Sequence, residues 1–212
     1  MQQAKIRIQK KILFLMMLSS FVVFSFMLYA VLSGGSIVVL DSWISEHVPN
    51  MQSPALTTWV IFITNINGVV GSVIISAAVI ALLLSKKYYK DAQFYLLAFL
   101  GSSALFTFIK LLVERSRPVL KIVNEQGLSF PSGHSSMSMT IALSLTLIML
   151  TKVSSPLRRD LLMLFCVVWP LLIVSTRLYL NVHWFSDTIA GLSLSIFWTA
   201  FSYFLIYKKE AV

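Results

Sequence analysis

Six apolar stretches decide what this chain can become. They run over about residues 12–32, 56–84, 93–112, 133–150, 161–175 and 184–207. Most reach the roughly 18 apolar residues that suggest a membrane-crossing helix. The polar stretches between them are short. The reading is a single integral membrane domain over residues 1–212, all-α, with six transmembrane helices in a bundle. The chain is 58% hydrophobic and only 12% charged, about half the charged fraction of a soluble domain. No soluble module or internal repeat is visible.

A formal charge of +9 could suggest nucleic acid, but the charges sit in short clusters between apolar runs, as membrane topology requires. Six crossings put both termini on one side. With them go Lys5, Arg7, Lys10 and Lys11; Lys86, Lys87 and Lys90; Lys152, Arg158 and Arg159; and Lys208 and Lys209. By the positive-inside rule that side is cytoplasmic. The other five cations, Lys110, Arg115, Arg117, Lys121 and Arg177, fall on the outer side against the rule. An anionic substrate is the simplest reason for holding them there.

The basic start followed by an apolar run resembles a secretory signal, yet the run exceeds the roughly 7–15 residues of a signal core and lacks a small-x-small cleavage site. It is expected to stay as the first span, ended by Gly34-Gly35. Residues 36–53, with Asp41, Trp43, Glu46 and His47, are too short and polar to span and are expected at the interface, with His47 exposed. The second span contains Thr64-Asn-Ile-Asn67-Gly68, whose amides are expected to bond across helices or to local backbone. The fourth span is rich in Ser, Thr, Ala and Met, which suits the inside of a bundle. Pro170 is a candidate kink, and the lone Cys166 is read as packing.

Three polar elements converge on the outer side: Lys110-x6-Arg117-Pro118, Pro131-Ser132-Gly133-His134, and Arg177-x5-His183-x3-Asp187. Ionisable groups beside lipid-embedded helices are costly and are functional candidates by default. Pro-Ser-Gly suits a helix start: Ser132 can cap, Gly133 permits close backbone approach, and the free N–H groups of the first turn form an anion site. Arg117 and Arg177 can grip phosphate oxygens through paired hydrogen bonds, while Lys110 adds a point charge. His183 and Asp187 would share one helix face if a helix begins there. A histidine oriented by Asp187 can attack phosphorus, and His134 can protonate the leaving group and later activate water. Arg115 and Lys121 lie outside these motifs and are expected to be solvated.

In this order and spacing the three motifs resemble the signatures of the type 2 phosphatidic acid phosphatase superfamily, in its bacterial membrane lipid phosphatase branch. The resemblance covers Lys110 to Asp187. It implies phosphate binding by Lys110, Arg117, Ser132, Gly133 and Arg177, His183 as nucleophile, Asp187 as its partner and His134 as general acid. It implies a hydrolase; the cations around the motifs, which suit an anion, make it metal-independent and without cofactor, and the charge distribution puts its site on the extracytoplasmic face of the plasma or inner membrane. The expected substrate is a lipid phosphate: undecaprenyl diphosphate, phosphatidylglycerol phosphate or phosphatidic acid. Thr176 departs from the Ser that usually precedes Arg177, which puts a hydroxyl contact at 176 in question. Two alternatives stay open. One is a metal-dependent hydrolase using His134, His183 and Asp187 as ligands, although the surrounding cations suit an anion better. The other is a non-enzymatic lipid-binding or transport protein with the same pocket.

Overall fold

The computed structural model describes residues 2–208, with side chains from Lys10 onward; Lys5, Arg7 and Lys209 fall outside that description. Eight helices follow in order: α1 (Gln2–Leu32), α2 (Ser36–His47), α3 (Pro54–Ile66), α4 (Val69–Ser85), α5 (Tyr89–Val113), α6 (Gly133–Leu150), α7 (Pro156–Tyr179) and α8 (Phe185–Ile206). A short 3-10 turn, Val48–Met51, joins α2 to α3. The described residues form no strand.

Among them, five helices are long and apolar enough to cross a membrane: Lys10–Leu32, α5, α6, α7 and α8. Taken together as one span, α3 and α4 make a sixth candidate, bent by 44° at Asn67-Gly68. The expected polar break is therefore a real bend. Asn67 spans it by donating from Nδ2 to the His134 backbone oxygen at 2.8 Å, which is a cross-helix bond. At the end of α1, Gly34 takes φ +66 and turns the chain into α2. Pro170 sits inside α7, which continues from Pro156 to Tyr179.

The helix most enclosed by protein is α6, packed by α5, α7 and α8. Its buried face is made of small and hydroxyl side chains, among them Ser135, Ser136, Ser138, Thr140, Ala142 and Ser144. Small residues let backbones approach, and hydroxyls bond across the gap. Thr140 Oγ1 lies 2.9 Å from Ser102 Oγ on α5, which lies 3.0 Å from Ser195 Oγ on α8. Ser136 Oγ donates to the Gly191 carbonyl at 3.2 Å. The lipid-like faces of α1, α4 and α7 instead expose Leu, Val, Phe and Met.

Aromatic contacts between Phe14 and Phe204, and between Phe21 and Phe197, run α1 antiparallel to α8. Lys10 and Lys11 thus share an end of the bundle with Lys86, Lys87, Lys90 and Lys152. At that end Lys152 pairs with Asp91 at 2.6 Å and stands 4.0 Å from the Tyr88 ring centre, while Tyr207 donates to Asp91. The opposite end gathers the C-termini of α5 and α7 with the N-termini of α6 and α8.

There α8 passes so close to the start of α6 that only glycine fits at 191. A Cβ at Gly191 would stand 2.6 Å from the Ser132 carbonyl oxygen. Gly191→Ala should therefore push the two helices apart and lower the thermal unfolding midpoint in detergent, since overpacking costs about 1–3 kcal/mol. An unchanged midpoint would refute this close contact.

Candidate active site

A cavity of about 190 Å³ opens at this end of the bundle. Lys110, Arg117, Glu125, Gly133, His134 and His183 line its polar side; Val69, Phe106 and Met137 line its apolar side. A larger cavity of about 320 Å³ lies between α1 and α8, but only aliphatic, methionine and serine side chains face it. Ionisable side chains of the three motifs line only the smaller one, which is the candidate site.

Its cationic arms are held by backbone carbonyls. Lys110, near the end of α5, donates from Nζ to Leu128 O (2.8 Å) and Ser129 O (3.1 Å). Arg117 donates to Gly127 O (3.1 Å) and Val182 O (2.8 Å). Ser129 returns the support by donating through N and Oγ to Arg115 O, and through Oγ also to Ser116 O. Residues 114–132 are thereby strapped over the ends of α5 and α7. Arg177, 1% exposed, lies behind the cavity, bonded to Thr64 Oγ1 at 3.0 Å and Glu125 Oε2 at 2.7 Å. Its Nε is buried without a partner among the described residues.

His183 precedes the helix rather than sitting on its face. Trp184 caps α8, and Asp187 in its first turn accepts the Trp184 backbone N–H at 3.0 Å. The same oxygen, Oδ2, lies 3.3 Å from His183 Nδ1. The expected same-face pair is corrected to a cap: a carboxylate in the first turn meets the residue just before it, where the chain has already left helical geometry. Arg117 can only donate, so His183 Nε2, 3.1 Å from it, accepts. The proton then sits on Nδ1, facing Asp187. Burial, with Arg177, Arg117 and Lys110 adding positive charge, holds the His183 pKa well below the usual imidazole range. Nε2 thus meets Arg117, and both residues border the cavity.

Ser132 caps α6, accepting from the Ser135 N–H at 3.4 Å and the Ser135 hydroxyl at 3.0 Å. It is fully buried, so it shapes the first turn from behind. Lys110, Arg117, Gly133, His134 and His183 thus border the cavity, while Ser132, Arg177 and Asp187 stand one layer back. Thr176 is buried and turns its hydroxyl to Ile173 O at 2.6 Å, away from the cavity. His47 is exposed, as expected, and stacks on Trp43.

Two acids and one arginine escaped the sequence reading. Glu125 reaches into the cationic group, 2.7 Å from Arg177 and 3.7 Å from Arg117. Burial works against its charge, but Arg177 beside it prevails and holds its carboxyl below the usual range. Arg115 is not solvated. Its side chain, 12% exposed, bridges Asp41 and Asp187 at 2.7 Å each. The correction has a plain cause: two buried carboxylates on α2 and α8 need a shared cation, and Arg115 lies between them. Lys121 is exposed, as expected, and donates to Glu125 O. Among the described residues, no three His, Cys, Asp or Glu are grouped to hold a metal ion.

The model of the PAP2 superfamily matches residues 91–211. This chain belongs to the PAP2 superfamily. That span includes all three polar motifs and every cavity-lining residue except Asn67 and Val69. Outside it lie α1 to α4, and with them Asp41, Thr64 and Asn67. A lipid A 4'-phosphatase of Bacteroides thetaiotaomicron is 28% identical over 170 residues, covering 72% of each chain. A transmembrane PAP2-type phosphatidylglycerolphosphate phosphatase from Bacillus subtilis has the same fold, with a TM-score of 0.76 and 25% identity. The match covers 92% of this chain and 95% of that one. Aquifex aeolicus LpxE superposes with a TM-score of 0.61 at 21% identity, over 77% and 94% of the two chains. With its apolar helices, the chain is an integral membrane protein of a lipid phosphatase family.

Proposed function

We propose that this PAP2 protein hydrolyses the phosphate headgroup of a membrane lipid without a metal or cofactor, through a phosphohistidine on His183. The observation that carries this reading is the placement of His183 Nε2. It meets Arg117 on the edge of a cavity that His183 lines with Lys110, Arg117 and His134, while Nδ1 is held by Asp187. Lys110, Arg117, Arg177 and the first-turn N–H groups at Gly133 bind the phosphate oxygens, with Ser132 shaping that turn. As phosphate arrives, Arg117 turns its donors from Nε2 to the phosphate and frees the nucleophile. The nitrogen lone pair forms the N–P bond, the P–O bond to the lipid breaks, and His134 gives its proton to the departing oxygen. Water, deprotonated by His134, then cleaves the N–P bond and releases phosphate. The cations neutralise charge spread over the phosphoryl oxygens, as in other phosphoryl transfers.

The basic clusters support a topology with the termini in the cytoplasm and this site on the extracytoplasmic face. The apolar wall of Val69, Phe106 and Met137 beside the cradle suits a lipid whose tails remain in the bilayer. Undecaprenyl diphosphate, phosphatidylglycerol phosphate and phosphatidic acid are the candidate substrates, with the polyprenyl diphosphate first.

Phosphate release by purified protein from a panel of these lipids, in EDTA, tests the proposal. Turnover of at least one is expected. No release from any of them would sink the hydrolase reading, and loss in EDTA restored by zinc would favour a metallohydrolase. The position of Glu125 gives a second measurement. Its carboxylate occupies part of the cationic group that phosphate must use, so Glu125→Gln should lower the inhibition constant of orthophosphate about tenfold, or ~1.4 kcal/mol. A weaker inhibition would show that Glu125 holds Arg177 for phosphate rather than competing with it.

A further inference from the structure

We propose that Asp41 and Arg115 form a positioning relay that fixes Asp187, and through it His183. The proposal rests on the nucleophile reading above. Asp187 divides its two oxygens. Oδ2 faces His183 Nδ1 and the Trp184 N–H, while Oδ1 accepts from Arg115 at 2.7 Å. A carboxylate held through one oxygen can still turn about its Cβ–Cγ bond. Arg115 closes that freedom from the other side.

Arg115 is itself gripped. Its second terminal nitrogen donates to Asp41 Oδ2 at 2.7 Å, its first also donates to Ser186 Oγ at 2.7 Å, and its plane lies 5.3 Å from the Trp184 ring centre. Asp41, 1% exposed, also accepts the Ser186 N–H through Oδ1 (2.8 Å) and the Ser186 hydroxyl through Oδ2 (2.6 Å). The Asp41 carboxylate therefore caps the first turn of α8 from another helix, where negative charge is favoured by the exposed N–H groups. Two buried carboxylates share one guanidinium, and each contact fixes the next: Asp41, Arg115, Asp187, His183.

Neither Asp41 nor Arg115 lines the cavity, so both act through Asp187. Asp41 comes from α2, which precedes the residues 91–211 that match the superfamily model. The short polar helix between the first two spans is thus a structural arm of the site. Its other inward contact has the same target segment: Ser45 meets Asn181, two residues before His183.

The test uses the full chain in detergent and a lipid phosphate that the wild type cleaves. Asp41→Asn keeps the shape and one acceptor for Ser186 but removes the charge facing Arg115. It should lower kcat about 100-fold, the scale of a misplaced reacting group. KM and the inhibition constant of orthophosphate should hold within about twofold, because Lys110, Arg117 and Arg177 are untouched. In an Asp187→Asn background the same change should cost less than about threefold, since residues acting in series are not additive. Arg115→Lys, which cannot bridge both carboxylates, should give the same split, and it replaces Asp41→Asn if that variant does not fold. The relay is overturned if kcat survives in these variants, if the Asp41 and Asp187 losses multiply, or if phosphate binding weakens in step with kcat. A wild type that releases no phosphate at all would sink the hydrolase reading and the relay together; an active wild type with any of those three results sinks the relay alone.

Discussion

His183→Gln should stop turnover, by about 10⁶-fold, the scale on which enzymes lose rate with their nucleophile. Glutamine can still donate toward Asp187 and accept from Arg117, so the variant keeps the site's shape while losing the nitrogen lone pair proposed to attack phosphorus. Lys110, Arg117 and Arg177 remain, and inhibition or binding by orthophosphate should persist. The distinguishing readout is covalent. Wild type quenched during turnover of a radiolabelled lipid phosphate should carry acid-labile, base-stable phosphate, and His183→Gln should carry none. A variant that turns over at more than a tenth of the wild-type rate would move the nucleophile elsewhere. The closest other imidazole to consider would be His134, which lines the same cavity.

The bundle was legible because its code is coarse. Apolar length gives the crossings, and small hydroxyl residues in the fourth span mark it as the enclosed helix, as α6 is. Motif spacing was equally readable, because each motif lies at a helix end where a few residues carry all the local polarity. What could not be read was the partner of each charge. Glu125 and Arg177 are 52 residues apart, and Asp41 and Arg115 are 74 apart. No local periodicity relates such pairs; only the packing of α2 and of the strap 114–132 brings them together.

The balance of charge bears on these partners. The chain has eight acidic residues, and five of them, Asp41, Glu46, Glu114, Glu125 and Asp187, fall on the site side of the helices. Five cations occupy that side as well. Cations withdrawn from water at a membrane boundary must be paired or bonded, or they cost several kcal/mol. That pressure is why Arg115 pairs with Asp41 and Asp187 and is not solvated. Lys121 escaped it only because the strap leaves it exposed. The bend at Asn67-Gly68 was visible as polar residues in an apolar run, and so was a cross-helix bond from its amides; that the acceptor is the backbone of His134 was not. The backbone of the fourth span's first turn is thereby held from α3 and from α8 at once, since Ser132 N–H also donates to Asp187 O.

That double hold makes His134 the second decisive position. His134→Gln should lower turnover of a lipid phosphate by about 10²–10⁴-fold, the usual worth of a positioned acid–base group. A lipid alkoxide departs poorly without a proton, so phosphorylation of His183 becomes slow. An activated aryl phosphate, such as p-nitrophenyl phosphate, loses a stable phenolate and needs no such help. With that substrate the variant should still phosphorylate His183, but it lacks the base that activates water. The result expected is a burst of nitrophenol close to one equivalent per site, followed by slow turnover and accumulation of the phosphoenzyme. Equal losses on both substrates with no burst would mean that His134 binds phosphate instead of moving protons. A burst in His134→Gln and none in His183→Gln would assign the two histidines separately, because one variant is blocked after the N–P bond forms and the other before it.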